Sequence, residues 1–349
     1  MHGLSYLYPR SGCAASVKTA PTDFVVDEVL GFEPDGSGEH VFVLVQKTNA
    51  NTSYIARRLA HACAVRERDI SFSGMKDRVA VTTQWFSVHL PGLEAPDLEP
   101  LNSDELKIIS AQRHSRKLRR GTHTSNRFVI TLRHCVGDRK NWQERLQTIA
   151  EQGFPNYFGE QRFGQEMRNV DAARRMFGQT AKRQKRDRNR GIYLSAARSW
   201  VFNQVLSARI AQRTYDKLFV GDVLNLDGSN SVFCVEQIDD AIQSRLQSGD
   251  VHLTGPLWGK GAGLLGHERH AWEQSCVVDN EDLCSGLALS KLKPSRRSLR
   301  CFASELSWEW PENKSLRLSF TLNAGCFATV LLRELADCTM VNSSGGSSQ

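Results

Sequence analysis

The segment Val79 to Leu90, VAVTTQWFSVHL, puts apolar residues on both faces of an extended chain. A strand of that kind belongs inside a sheet, because an edge position would leave one face wet and its backbone unpaired. Neighbours of the right size are present. Phe24 to Val29 and Val41 to Val45 are β-rich, and Phe128, Ile130 and Leu132 share one face by period-two alternation. Near the C-terminus, Leu316, Leu318, Phe320 and Leu322 alternate with Arg317, Ser319 and Thr321, which marks a half-buried strand. A helix is predicted from Asn51 or Thr52, with Ile55, Leu59 and Ala62 on its apolar side, and another around Phe327, Val330, Leu331 and Leu335.

The middle of the chain reads differently. Val170, Ala173 and Phe177 fall at helical spacing. From Ser195 as N-cap, Val201, Val205 and Ala208 run beside Phe202, Leu206 and Ile210 as one wide apolar stripe. Short strands are expected at 221–227 and 232–237 around a turn at 227–230, and a Gly-rich loop from Gly255 to Gly266. The last strand and helix resemble the N-terminal part more than this middle, as an inserted domain would produce. A length of 349 residues suits two domains at roughly 150 residues each.

Composition excludes several classes. Hydrophobic content of 40% with 24% charged residues argues against a mostly disordered chain. No apolar run approaches the roughly 20 residues needed to cross a bilayer. The first residues, MHGLSYLYPRSG, have neither a basic n-region nor an apolar h-region, so a soluble, cytoplasmic protein with no membrane association is expected. The nine cysteines are scattered and form no CxxC pair, which fits small buried thiols rather than disulfides or zinc. Only the tail, 341–349, which ends in NSSGGSSQ, is expected to be disordered.

The formal net charge of +7 permits a polyanionic partner. Five of the eight residues from Arg113 to Arg120 are basic, as are six of the nine from Lys182 to Arg190. Guanidinium forks match phosphate oxygens, so two Arg-rich runs favour phosphate contacts over two solvated faces. Phe128, Trp142, Tyr157, Phe158, Phe163 and Phe177 lie near these runs and suit stacking on unpaired bases, although most are expected in the core.

Three motifs fail on inspection. Gly261, Gly263 and Gly266 spell GxGxxG, but Pro256 and Trp258 lead into a loop where a dinucleotide fingerprint needs a strand. Lys260 lacks the following Ser or Thr of a phosphate loop. His267 and His270 have HExH spacing, not the HExxH of a zinc helix, and read as surface histidines.

Ser73-Gly74-Met75-Lys76-Asp77-Arg78 precedes the central strand. Taken alone it suits an exposed turn. The sharper reading is a carboxylate at the mouth of a sheet, flanked by cations and ionised at neutral pH given a reference pKa of about 3.9. On an extended chain, Lys76 and Arg78 would point away from Asp77, toward phosphates.

GMKDRVAVTTQWF closely resembles the signature of the tRNA pseudouridine synthase D (TruD) family, whose GxKDR aspartate is catalytic. Other pieces follow in order: KTAPTDFVVDE from Lys18, NRF from Asn126, NYFGEQRFG from Asn156, TGPLWG from Thr254, and GCFATVLLREL from Gly325. Thr22, Thr83 and Cys326 depart from the family's usual residues there. The resemblance implies an α+β pseudouridine synthase fold, a mixed, largely antiparallel sheet with flanking helices, circularly permuted and interrupted by an α/β insertion. Residues 1–152 plus 304–340 would form the catalytic domain and 153–303 the insertion, the other wall of an RNA cleft.

It implies isomerisation of uridine to pseudouridine in tRNA, at position 13 of the D-arm, by a monomer that uses no metal, no nucleotide and no other cofactor. Asp77 would be catalytic, attacking C6 of the base, attacking C1′ of the ribose, or removing the 2′ proton. Phe128 would stack on the extruded base, Asn126 would bond the base or the Asp77 region, and Lys18, Lys76 and Arg78 would be cations about the substrate. Arg116, Lys117, Arg119, Lys185, Arg186 and Arg188 would meet phosphates. The competing readings are a non-catalytic RNA-binding or RNA-folding protein and, on Gly261 to Gly266 alone, a nucleotide-dependent oxidoreductase.

Overall fold

The computed structural model describes residues 3–229, 231–261, 264 and 266–341, apart from the side chains of Ala181, Lys182, Lys185 and His267. The expected tail, beyond Val341, and Gly263 of the GxGxxG run lie outside the described residues. The chain forms two compact units. Among the described residues, one comprises Ser11–Glu151, Ala303–Ala328 and 335–341; the other comprises 3–10, Gln152–Phe302 and Thr329–Glu334.

The first unit is built on a mixed sheet. Its strands run in the order Ser304–Glu312, Ser315–Asn323, Ser125–Val136, Phe24–Val29, Val81–His89, His40–Thr48 and Leu106–His114. Ile70–Phe72 adds to Val81–His89, and Ala14–Val17 bridges Ser125–Val136 and Asp337–Met340. Two pairings are parallel, Phe24–Val29 with Val81–His89 and Ala14–Val17 with Asp337–Met340; the others are antiparallel. Val81–His89 is thus interior, as its sequence demands. The late strand Ser315–Asn323 completes the sheet by pairing in register with Ser125–Val136, Phe320 opposite Phe128 and Leu322 opposite Asn126. The strand Asp337–Met340, in contrast, is too short at four residues to stand out in the sequence and forms by parallel pairing with Ala14–Val17.

Helix Thr52–Ala62 covers part of one face. Ile55 and Leu59 are wholly buried against Val43, Val45, Phe86 and Val88. Helix Arg139–Gln152 buries Trp142, Leu146 and Ile149, and the Trp142 indole N–H donates to the Val136 carbonyl at 3.2 Å. Each fully buried Leu or Ile contributes about 1.5–3 kcal/mol relative to exposure, so these two helix faces fix the sheet firmly.

The second unit holds a small antiparallel sheet, Val232–Cys234, Val223–Leu226, Val251–Leu257 and Ser295–Ser298. Beside it run helices Arg168–Phe177, Arg190–Ala211 and Glu281–Leu289. The apolar stripe on Val201, Phe202, Val205 and Leu206 is buried. The helix carrying it begins at Arg190, not Ser195: the Ser195 hydroxyl sits inside the helix and accepts from Arg162 at 3.1 Å. Most of the aromatics near the basic runs are core, including Trp142, Tyr157, Phe158 and Phe163, whereas Phe177 is half-buried.

The expected Gly-rich loop is shorter than its glycines suggest, because Gly255 and Pro256 belong to strand Val251–Leu257. These glycines serve close packing. A Cβ on Gly259 would stand 2.5 Å from the Leu292 carbonyl oxygen, and one on Gly266 would stand 2.8 Å from the Gly221 Cα. His270 is half-buried and stacks on Trp258 rather than standing free at the surface. Among the described residues no disulfide joins any of the nine cysteines, and five are buried. No described helix is long and apolar enough to cross a membrane. Gly259→Ala is expected to lower the unfolding free energy by about 1–3 kcal/mol in urea titration, since its Cβ meets backbone that cannot rotate away.

Candidate active site

Period-two alternation does more than build the core of the first unit. On three strands the apolar face ends in a polar residue: Phe24 and Val26 are followed by Glu28, Val43 and Val45 by Lys47, and Phe86 and Val88 are preceded by Gln84 and Thr82. Phe320, Phe128, Val26, Thr82 and Lys47 are successive cross-strand partners, so they form one row across the sheet. Glu28, Lys47, Thr82, Gln84 and Asn126 are all buried. A band of buried polar groups at this end of the sheet requires partners.

For Glu28, Lys47, Gln84 and Asn126 the partners come from residues 73–77. The Gln84 amide donates to the Gly74 carbonyl at 3.2 Å, and the Thr52 hydroxyl donates to Gln84 Oε1 at 2.9 Å while accepting from the Lys76 N–H at 3.1 Å. Lys47 Nζ donates to the Asp77 carbonyl at 2.8 Å. Lys76 Nζ lies 3.1 Å from Glu28 Oε2 and donates to Asn126 Oδ1; Glu28 Oε1 accepts from the Trp85 N–H at 3.2 Å. Burial raises the Glu28 carboxyl, opposed by Lys76, and lowers the Lys47 ammonium to about 8, opposed by Asp77.

The Asp77 carboxylate is one-third exposed and pairs with Lys18 at 2.5 Å. Lys18 lies at φ 60°, a left-handed conformation that non-glycine residues seldom take, and its ammonium stands 4.2 Å from the Phe24 ring centre. Phe24 meets Phe128 edge-on at 6.2 Å, and Phe128 stacks on Phe320 at 5.3 Å.

Four of the expected residues therefore converge on Asp77 or its loop: Lys18, Lys76, Asn126 and, through Phe24, Phe128. Lys76 does so from an unexpected direction. Residues 73–80 belong to no strand, with bends at 73–74 and 78–80 on either side of Lys76, so strand alternation does not turn Lys76 outward; its side chain is shut inside by Glu28 and Asn126 and cannot meet phosphate. Arg78 is exposed, as expected. Phe128 is only 8% exposed, so its ring is largely committed to the aromatic cluster.

The first basic run forms the loop after strand Leu106–His114. Arg113 is spent on the Leu90 and Gly38 carbonyls, at 3.1 and 3.3 Å. Arg116, Lys117, Arg119 and Arg120 are exposed around Leu118, which is buried with Leu30 and Phe42. Of the second run, Arg186 and Arg188 are exposed, and the Lys185 side chain lies outside the described residues. Among the described residues no cluster of His, Cys, Asp and Glu is arranged to hold a metal ion.

Glu28, Lys47, Thr52, Ser73, Gln84 and His123 were not assigned from sequence. The signal for Glu28, Lys47 and Gln84 was present: a polar side chain in phase with an apolar face. His123 gave none. Its Nδ1 meets the Ser73 hydroxyl, and burial with the nearby Lys76 charge lowers its pKa to about 4. Between about 4 and an unfolded value of about 6.5, only the unfolded chain binds this proton, so falling pH favours unfolding across that window. Wild type is expected to lose about 1–2 kcal/mol more stability than His123→Asn between pH 6.5 and 4.5, measured by urea unfolding, after allowance for solvent screening.

A profile of the family described as tRNA pseudouridine synthase D (TruD) matches residues 2–173 and 178–335. Curated proteins named tRNA pseudouridine synthase D are similar over nearly the whole chain. That of Xanthomonas euvesicatoria is 44% identical over 95% of both chains, and that of Colwellia psychrerythraea is 43% identical over 95% of this chain and 92% of its own. A crystal structure of the putative TruD from Methanosarcina mazei superposes with a TM-score of 0.72 over 95% of both chains at 18% identity, a likeness of fold. With its sheet, its GMKDR loop and these relatives in agreement, the chain belongs to the tRNA pseudouridine synthase D family.

Proposed function

We propose that the protein isomerises uridine to pseudouridine in tRNA with Asp77 as its catalytic carboxylate, and that the uridine is number 13 of the D-arm. The observation that carries the assignment is the Asp77 loop itself: buried polar side chains fix its backbone, and a carboxylate is left partly exposed beside one ammonium. An enzyme of this kind breaks the N1–C1′ bond, turns the uracil and forms the C5–C1′ bond; N1 gains a proton and C5 gives one up. Attack at C6, attack at C1′ and removal of the 2′ proton all require an anionic oxygen, and Lys18 at 2.5 Å balances that charge without covering it.

The base has to leave its stack to reach Asp77. Asn126 has its Oδ1 fixed by Lys76, which turns its amide N–H groups toward whatever else enters; a uracil carbonyl is a matching acceptor. Phe128, with Phe24 and Phe320, supplies the apolar floor under the base and has no group to exchange protons. Arg78 and the exposed Arg116, Lys117 and Arg119 take backbone phosphates near the site, and Arg186, Arg188 and Lys185 take others. In this reading residues 1–152 plus 304–340 are the catalytic domain and 153–303 the insertion.

Asp77→Asn tests the assignment against a non-catalytic RNA-binding role. It is expected to cut tritium release from 5-labelled uridine in tRNA by at least about a hundredfold while tRNA affinity is retained; turnover equal to wild type excludes Asp77. Replacing Arg116, Lys117 and Arg119 with Gln is expected to weaken tRNA binding and reduce the slope of log affinity against log salt by about one per lost phosphate contact. An unchanged slope marks the run as a solvated face.

A further inference from the structure

We infer that Ser73 and His123 are positioning residues, a latch through which the exposed basic loop 115–124 sets the place of the Asp77 carboxylate. The inference rests on Asp77 being the catalytic group. Three hydrogen bonds join the two loops. The Gly121 N–H donates to the Ser73 carbonyl at 2.8 Å, the His123 N–H donates to Ser73 Oγ at 3.1 Å, and the Ser73 hydroxyl meets His123 Nδ1. Ser73 Oγ accepts from the backbone and has its own proton to offer; donated to Nδ1, it pairs with a neutral ring that carries its proton on Nε2. Burial and Lys76, itself held by Glu28 and Asn126, keep it so.

The latch differs in kind from the other anchors of this loop. Thr52, Gln84 and Lys47 hold Gly74, Lys76 and Asp77 from the closed interior of the sheet and helix. Ser73, which is 3% exposed and lies four residues before Asp77, is held by a segment most of whose members face solvent. That segment is clamped at its far end as well, where Asp35 accepts from the Ser115 N–H at 3.1 Å, and it is plugged at its middle by Leu118. Arg116, Lys117, Arg119 and Arg120 project between these fixed points. A phosphate drawn to them pulls on a short, doubly clamped loop, and one clamp is Ser73. The linkage is a contiguous set of hydrogen bonds rather than mere proximity.

The test compares His123→Ala, Ser73→Ala and His123→Asn with wild type, using full-length enzyme and transcribed tRNA. Asparagine offers an acceptor oxygen where Nδ1 stood. Both alanine variants are expected to lower the single-turnover rate by about tenfold to a hundredfold with tRNA affinity unchanged. Their double mutant should lose little more than either alone, and His123→Asn should recover most of the rate. Ser73→Ala removes one hydroxyl and carries the same expectation should His123→Ala fail to fold. Alanine variants with a lowered thermal midpoint but a wild-type rate, or with rate and affinity falling together and no rescue by Asn, overturn the latch. Asp77→Asn run alongside separates the two ideas: its full activity overturns the catalytic reading, whereas its inactivity beside a fully active His123→Ala overturns the latch alone.

Discussion

Lys76 and Glu28, 3.1 Å apart with both side chains shut away from water, form the ion pair on which the candidate site depends. Such a pair adds little net stability, because desolvating two charges offsets most of their attraction, but removing one partner costs about 3–5 kcal/mol. Its effect is therefore on geometry. Glu28 is tied to the central strand through the Trp85 N–H, and Lys76 is tied to Asn126 on the opposite neighbour of Phe24–Val29. One buried charge pair thus fixes the loop before Asp77 to three strands at once. The hydrogen bonds that Gln84 and Lys47 donate to the loop, and the one that Thr52 accepts from it, have definite partners because this pair sets the loop's height above the sheet.

A loop held so closely has given up its conformational entropy during folding rather than at the moment of reaction. Fixing one residue's backbone costs about 1–2 kcal/mol, and four of the residues from Ser73 to Asp77 carry a named anchor. Met75, 66% exposed, is the member without one in this set. Buried hydrophobic packing around Ile55, Leu59, Phe86 and Val88 offsets that cost. On the proposed assignment, the Asp77 carboxylate then sits at a defined place before the substrate arrives, which is how positioning lowers a barrier.

The sheet was largely legible because its strands announce themselves through apolar alternation, and Val81–His89 could be nothing but interior. Asp77 was legible only through the GMKDR resemblance, since nothing in a run of Lys, Asp and Arg distinguishes a site from a turn. Lys76 was misdirected for a physical reason: alternation governs a paired strand, and this segment is an irregular loop with bends on either side of Lys76. Lys47 shows the opposite case. Its phase with Val43 and Val45 placed it inward, yet a lysine on an apolar face is easily taken for a side chain that snorkels out. The start of helix Arg190–Ala211 escaped because its N-cap, Asn189, lies inside the basic run, while Ser195 offered a capping residue nearer the apolar stripe, and the strand Asp337–Met340 escaped because its pairing partner is over three hundred residues away.

Charge gives the last constraint. A carboxylate that works beside RNA phosphates is repelled by each of them, by about 1 kcal/mol at 4 Å in bulk water and about 4 kcal/mol near a protein surface. Around Asp77 and Glu28 the chain sets three cations, Lys18, Lys47 and Lys76, against two carboxylates. Two of these cations, Lys47 and Lys76, are buried and cannot be drawn away by the incoming polyanion. Lys47 carries the cost of that burial in its lowered pKa of about 8, which still leaves it largely charged at neutral pH. A mobile surface lysine in either place would be free to leave for the nearest phosphate. Burying the cations makes the local field a property of the fold, so that a reactive anion can be kept next to a substrate of the same sign.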